Sequence, residues 1–185
     1  MAAVPPVCDF GWPAIDAVLP GVDGTSHSIF GHAGPNGLVV AFICNHCPYV
    51  KAVISRIVRD ANDLKAEGIG FVAINSNDAD AYPDDSFDQM KRFAMTNGFS
   101  FPYLHDEAQT VARDYSAVCT PDFFGFNSEL RLQYRGRLDA SRRESGPLGL
   151  RRDLFEAMKQ VARTGDGPFD QIASIGCSIK WKDAA

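Results

Sequence analysis

No run of about eighteen apolar residues occurs anywhere in the 185-residue chain, so no membrane-spanning helix is expected. Basic residues are also short in supply. With 18 lysines and arginines against 23 aspartates and glutamates the net charge is -5, which argues against nucleic acid and anionic membrane surfaces, because both select for basic patches. The first twenty residues lack a positive n-region and an apolar h-region, which sets the expectation of a cytoplasmic protein. Neither an internal repeat nor a low-complexity tract is present, and nothing in the composition points to disorder or a fibre. A structural zinc site wants a second ligand pair beside Cys44, His46 and Cys47, but Cys8, Cys119 and Cys177 are isolated in the sequence. The acidic stretch Asp78, Asp80, Asp84, Asp85 and Asp88 lacks the glycine and terminal glutamate of a calcium loop, so it reads as a solvated loop and helix cap. No metal and no cofactor are expected. What is left is a chain 45% hydrophobic, enough to bury one sizeable core. We expect a single domain over residues 1–185, with a proline-rich arm over 1–20 and a tail over 168–185.

The elements alternate. Leu38 to Ile43 is a continuous apolar run of strand length, and Val50, Val53, Ile54, Ile57, Ala61 and Leu64 then recur at helical spacing until Gly68. Ile69 to Ile74 is the next buried strand, so strand, helix and strand form a right-handed crossover. Ser86 caps a helix marked by Phe87, Met90 and Phe93, and a short strand over Phe101–Leu104 and a short helix ending near Tyr115 follow. Phe123–Phe126 and Leu130–Tyr134 read as an antiparallel pair, and Leu154, Phe155, Met158 and Val161 mark the last helix. Ahead of the main sheet, Asp23-Gly24 predicts a tight turn in an accessory hairpin. His27, His32 and His105 read as surface residues.

Five cysteines cannot all pair within one chain, and in a reducing compartment a close Cys-x-x-Cys is more often catalytic or metal-binding than a structural staple. Cys44 and Cys47 fall where a strand hands over to a helix, at the carboxyl end of the first crossover strand. Unpaired N–H groups at a helix start stabilise an anion, and a thiolate is the anion that attacks disulfides and peroxides. Pro48 suits the first helical position, which makes Cys47 the cap.

With Phe42–Lys51, Val118–Phe124, Tyr134–Asp139 and the tail Gly176–Lys182 in view, the chain resembles the thioredoxin fold. More closely it resembles the thioredoxin-like family of the alkyl hydroperoxide reductase and thiol-specific antioxidant (AhpC/TSA) proteins. The resemblance covers about residues 20 to 182 and implies an α/β fold with a central mixed sheet flanked by helices. It also implies that Thr120-Pro121 carries the cis proline that faces the cysteines, with Thr120 pairing its backbone with a substrate peptide. Without that resemblance, Pro121 equally suits the start of a strand in trans.

Three function classes follow. The first is a thiol–disulfide oxidoreductase with an antioxidant role that cycles Cys44 and Cys47 against protein or small-molecule thiols. The second is a peroxiredoxin-like peroxidase in which Cys47 forms a sulfenate and Cys44 resolves it. The third is a redox-inactive metal-binding or scaffold protein. Cysteine before proline is a peroxiredoxin feature, but the threonine expected three residues earlier is replaced by Cys44, and the family's peroxide-polarising arginine has no obvious match, with Arg137, Arg142 and Arg143 as candidate substitutes. His46 resembles the histidine of disulfide isomerase motifs and is a supporting residue that stabilises a thiolate, or else an exposed polar side chain. The helix start and His46 favour Cys47, but a bulky protein disulfide cannot reach a shielded sulfur, so access dominates and Cys44 is expected to be the attacking sulfur for disulfide substrates. Arg142 and Arg143 are candidates for a carboxylate of a small thiol, or else solvated. Cys119 reads as an ordinary buried cysteine or a third redox thiol, and Cys177 reaches the site only if the tail folds back.

Overall fold

The computed structural model describes residues 2–6 and 8–183. Strand β1 (Ala2–Ala3) precedes an arm whose Trp12, Ala14, Ile15 and Leu19 pack on the core, tied down where Tyr115 Oη donates to Ile15 O at 2.7 Å. The accessory hairpin is β2 (Val18–Pro20) and β3 (Ser26–Ser28). Gly24 takes φ +86 in its turn, a conformation that suits glycine. Next come β4 (Gly37–Phe42), α1 (Pro48–Lys51), α2 (Ile54–Ala66) and β5 (Ile69–Asn75). The chain continues through α3 (Phe87–Thr96), β6 (Tyr103–His105), α4 (Thr110–Asp114), β7 (Cys119–Thr120), β8 (Asp122–Phe126) and β9 (Leu132–Gly136). Helix α5 (Asp153–Thr164) and β10 (Gly176–Ser178) complete it.

Five strands form the central sheet in the order β6-β5-β4-β8-β9. β4 runs parallel to β5 and antiparallel to β8, so the sheet is mixed and β4 is its middle. All six residues of β4 are buried, because both faces of the sheet are covered. Val39 and Ala41 face a cluster with Ile57, Leu64, Leu154 and Met158 of α2 and α5. Leu38, Val40 and Phe42 face the opposite cluster with Val111, Tyr115, Phe124 and the arm. A thirteen-residue helix such as α2 is marginal alone, so its stability comes from burying this stripe, at about 1.5–3 kcal/mol for each large aliphatic side chain.

The helix expected after the cysteines is broken at Ala52-Val53, where Val53 takes φ -123, ψ 4. The Ala52 carbonyl accepts the Ser145 hydroxyl, while the Arg56 N–H that would have used it donates to Val53 O at 2.9 Å. A distant loop therefore ends the first turn. His105 is buried and stacked on Phe87 at 5.6 Å rather than on the surface, because β6 is covered by the start of α3.

A second, smaller sheet decides the shape of the site. β10 runs antiparallel between β1 and β7, with Cys177 opposite Thr120 on one side and Ala2 on the other. The tail does fold back. A Cβ on Gly176 would collide with Thr120 O, so only glycine allows the two backbones to come this close.

Candidate active site

Cys44 follows β4 directly, and Cys47 is the residue that caps α1, with extended angles (φ -64, ψ 123) and Pro48 as the first helical residue. Across from them β7 ends at Thr120, whose peptide bond to Pro121 is cis. Thr120 touches both sulfurs. Its Oγ1 lies 3.2 Å from Cys44 Sγ, and its carbonyl oxygen lies 3.2 Å from Cys47 Sγ and accepts that thiol's proton when it is present. All five cysteines are unbridged.

The two thiols are driven apart in acidity. Cys47 is pulled down to about 4 by the Cys44 thiol that donates to it, with the Cys177 thiol and N–H and the Val50 N–H adding to this against the cost of burial. Val50 N–H faces the sulfur without the geometry of a full cap hydrogen bond. Cys44 is pushed well above the usual thiol value, first because it donates to Cys47 and then by burial and the charge of Asp85. The pair thus holds one proton on Cys44 and an anion on Cys47. Carbonyl Thr120 O opposes that anion, and the four donors outweigh it.

Asp85 organises the other flank. Its Oδ1 accepts the Asn45 N–H at 2.7 Å, and its Oδ2 accepts His46 Nδ1 and Asn77 Nδ2, each at 2.7 Å. Asn45 is locked further by Tyr103 Oη, which donates to Asn45 Oδ1 at 2.9 Å, and by its own amide, which donates to Asp84 O at 2.9 Å. An asparagine between the cysteines therefore fastens the Cys44–Cys47 loop to β6 and to the turn before α3. Cys44, a ring nitrogen of His46 and an Asp85 oxygen lie within 4.8 Å of one another, a spacing that suits a cation. The donor set does not, because the Asp85 oxygens are already taken by three protein donors and a closed site wants a fourth ligand.

A family model for the AhpC/TSA family matches residues 10–135. The chain belongs to that family. No curated protein matches it. Among solved structures, an uncharacterized conserved protein from Geobacillus kaustophilus is 43% identical with a TM-score of 0.92, over 100% of this chain and 98% of the other. A hypothetical protein from Sinorhizobium meliloti is 36% identical with a TM-score of 0.93, over 100% of both chains. The thioredoxin domain of a thiol-disulfide oxidoreductase from Bacteroides vulgatus is 15% identical with a TM-score of 0.63, over 83% of this chain and 97% of that one. The fold of this AhpC/TSA protein is thioredoxin-like.

Within that fold, Cys44, Cys47, Pro48, Thr120 and Pro121 come together as one cluster. Three expectations are corrected. Access does not single out Cys44, since Cys44 and Cys47 are both 0% exposed beneath the returning tail. His46 is held by Asp85 and stacks on Tyr82 at 5.7 Å, and Cys44, Cys177 and Val50 are the leading groups that lower Cys47. The Thr120 backbone, expected to pair with a substrate peptide, is already paired with the chain's own β10. Pairing between segments so far apart along the chain leaves no local mark in the sequence.

Asp85 and Cys177 are the residues that sequence reasoning underrated. Asp85 was grouped with a solvated acidic loop, yet it is 0% exposed, and its only local signal is its place just before the cap of α3. Cys119 is an ordinary buried cysteine, pushed far up by burial and by Asp122, with Sγ 3.6 Å from Pro121 O. A cavity of roughly 250 Å³ opens beside Pro121, walled by Tyr49, Val53, Arg137, Arg142 and Ile175. Arg137 Nε donates to Asp153 Oδ2 at 2.7 Å, which leaves the exposed Arg142 as the cation at its rim.

Proposed function

We propose that this AhpC/TSA protein is a thiol–disulfide oxidoreductase that cycles Cys44 and Cys47 between dithiol and disulfide, with Cys47 attacking and Cys44 resolving. One observation carries the reading: Thr120 brackets both sulfurs at 3.2 Å, and of the two it is Cys47 whose surroundings favour the anion, while those of Cys44 disfavour it. The Cys47 thiolate attacks one sulfur of a disulfide R–S–S–R′ and expels R′–S⁻. Cys44 gives its proton to that leaving thiolate, attacks Cys47 Sγ and expels R–S⁻, which leaves a Cys44–Cys47 disulfide. Because both sulfurs are fully covered, the oxidant is small, and the cavity at Pro121 with Arg142 on its rim suits a carboxylate-bearing small thiol or disulfide.

A second reading rests on the same burial, since a hydroperoxide is the smallest oxidant of this kind. Cys47 would take the terminal oxygen as sulfenate and release an alcohol or water, and Cys44 would condense with it, losing water to give the same disulfide. Against this, the leading groups that act on Cys47 include no guanidinium to polarise the peroxide.

Both activities are to be assayed on wild type, Cys44→Ser and Cys47→Ser. We expect wild type to reduce a small aromatic disulfide, Cys44→Ser to react once with it through Cys47 and to end in a disulfide at that sulfur, and Cys47→Ser to form none. Trapping through Cys44 in Cys47→Ser would overturn the assignment, and peroxide consumption without disulfide reduction would leave the second reading in its place.

A further inference from the structure

Four sulfurs gather at the Thr120-Pro121 loop, and three of them are out of reach. Cys44, Cys47 and Cys119 are 0% exposed, whereas Cys177 is partly exposed. Cys177 stands opposite Thr120, the residue that touches both catalytic sulfurs, and packs against the cluster that holds Cys44 and Cys47. Packing holds it there. Before β10, Ser174 Oγ donates to Gly136 O at 2.7 Å; after it, Lys180 N donates to Asn77 Oδ1 at 2.9 Å and Gln109 Nε2 donates to Lys180 O at 2.8 Å. Asn77 also binds Asp85, so the tail and the flank that fixes Cys44 share one hydrogen-bond network. A buried dithiol that turns over needs a way to exchange electrons with reductants larger than its oxidant.

We infer that Cys177 is a third redox residue of this centre, the sulfur through which thiols in solution, including cysteines of protein partners, re-reduce the buried pair. The inference rests on the Cys44–Cys47 chemistry proposed above. The Cys177 thiolate attacks Cys47 Sγ of the Cys44–Cys47 disulfide, forming a Cys47–Cys177 disulfide and expelling the Cys44 thiolate, which takes the proton that Cys177 lost. An external thiolate R–S⁻ attacks the partly exposed Cys177 Sγ and expels the Cys47 thiolate. A second thiolate R′–S⁻ attacks the sulfur of R in the mixed disulfide, releasing R–S–S–R′ and the Cys177 thiolate, which is reprotonated. Two external thiols are oxidised, one protein disulfide is reduced, and Cys177 is restored.

The acidity of Cys47 fits the second exchange. Cys47, at about 4, is the best leaving group of the three sulfurs when Cys177 is attacked. Cys177 is pushed up to about 11 by burial and by donating to Cys47, and the second of these causes ends once the Cys47 sulfur is bonded. It then ionises more readily, at the stage when it is needed.

The test has two parts. In Cys44→Ser, mild oxidation should yield a Cys47–Cys177 disulfide as the main species on non-reducing peptide mapping; Cys177 left free while Cys47 is oxidised or bound to an external thiol would overturn the inference. In Cys177→Ser and Cys177→Ala, a thiol-bearing peptide should reduce the preformed Cys44–Cys47 disulfide about tenfold or more slowly than in wild type, whereas rates within about twofold would overturn the inference. A Cys177→Ser variant that turns over as well as wild type refutes this inference alone. A wild type that oxidises only to Cys47–Cys177, with Cys44 free, refutes the proposed function but keeps Cys177 as a redox partner.

Discussion

Removing the Cys44 thiol should raise the Cys47 pKa, and replacing it with a hydroxyl should not raise it nearly as far. The largest influence that holds Cys47 at about 4 is the hydrogen bond donated by Cys44. A hydrogen bond to a charged group contributes about 1.5–3 kcal/mol, and one pKa unit corresponds to about 1.4 kcal/mol, so Cys44→Ala should raise Cys47 by about 1–2 units. At pH 5 wild type is then about nine-tenths thiolate, and Cys44→Ala between about one-tenth and one-half. Cys44→Ser keeps an O–H donor and should titrate near wild type. The assay is the ultraviolet absorbance of the thiolate in the reduced protein, which needs no reagent to reach a covered sulfur. No other thiol intrudes at acidic pH, because Cys8 and Cys177 are pushed up to about 11 by burial and Cys44 and Cys119 are also raised. A wild type with no absorbance step in the acidic range, or alanine and serine variants that titrate together, would refute the reasoning.

Three further outcomes are expected. Since Cys47 falls from 9.0 unfolded to about 4 folded, its contribution to the stability of the reduced protein is complete above the unfolded value and is lost as pH falls through the folded one. On the order of 4 kcal/mol should disappear between pH 7 and pH 4 in wild type relative to Cys47→Ser, as read by urea unfolding. Asp122, pushed up to about 6 by burial, acts in the opposite sense between about pH 4 and pH 6, but it is common to both proteins and cancels, so parallel pH profiles count against the assignment. Asp85→Ala orphans the Asn45 N–H, His46 Nδ1 and Asn77 Nδ2 together, and should cost about 3–5 kcal/mol in denaturant unfolding; a loss under about 1 kcal/mol shows that the three donors find other partners. Gly176→Ala places a Cβ against Thr120 O and should lift β10, so hydrogen exchange at Cys177 and Ile179 should speed up while β4 stays protected. Unchanged exchange at those amides means that the tail tolerates the side chain.

Periodicity in the sequence was enough to place β4, β5, α3 and α5, because which residues repeat at two or at 3.6 determines which face of an element can be buried. It also put Cys44 and Cys47 at the end of the first crossover strand, with Pro48 as the first helical residue, since those features depend on neighbours only a few residues away. The identity of the opposing loop needed more, and Thr120-Pro121 was legible through family resemblance rather than local pattern. The break at Ala52 leaves no local mark in the sequence, because it is made by Ser145 from a distant loop and an amphipathic stripe runs on unbroken through it. Asp85 looked like one of five acidic loop residues, and only the packing of β4, β5 and α3 leaves it buried with three donors aimed at it. The acidity order of the two thiols depends on Cys177 as well as on their own spacing, and Cys177 arrives through strand pairing with Thr120. The sequence by itself thus determined the elements and the place of Cys44 and Cys47 between them, through interactions that act within a turn or a strand. Tertiary structure alone decided that both sulfurs are covered, which groups surround each of them, and which third sulfur lies nearby, because burial and strand register are set by segments the chain brings together only on folding.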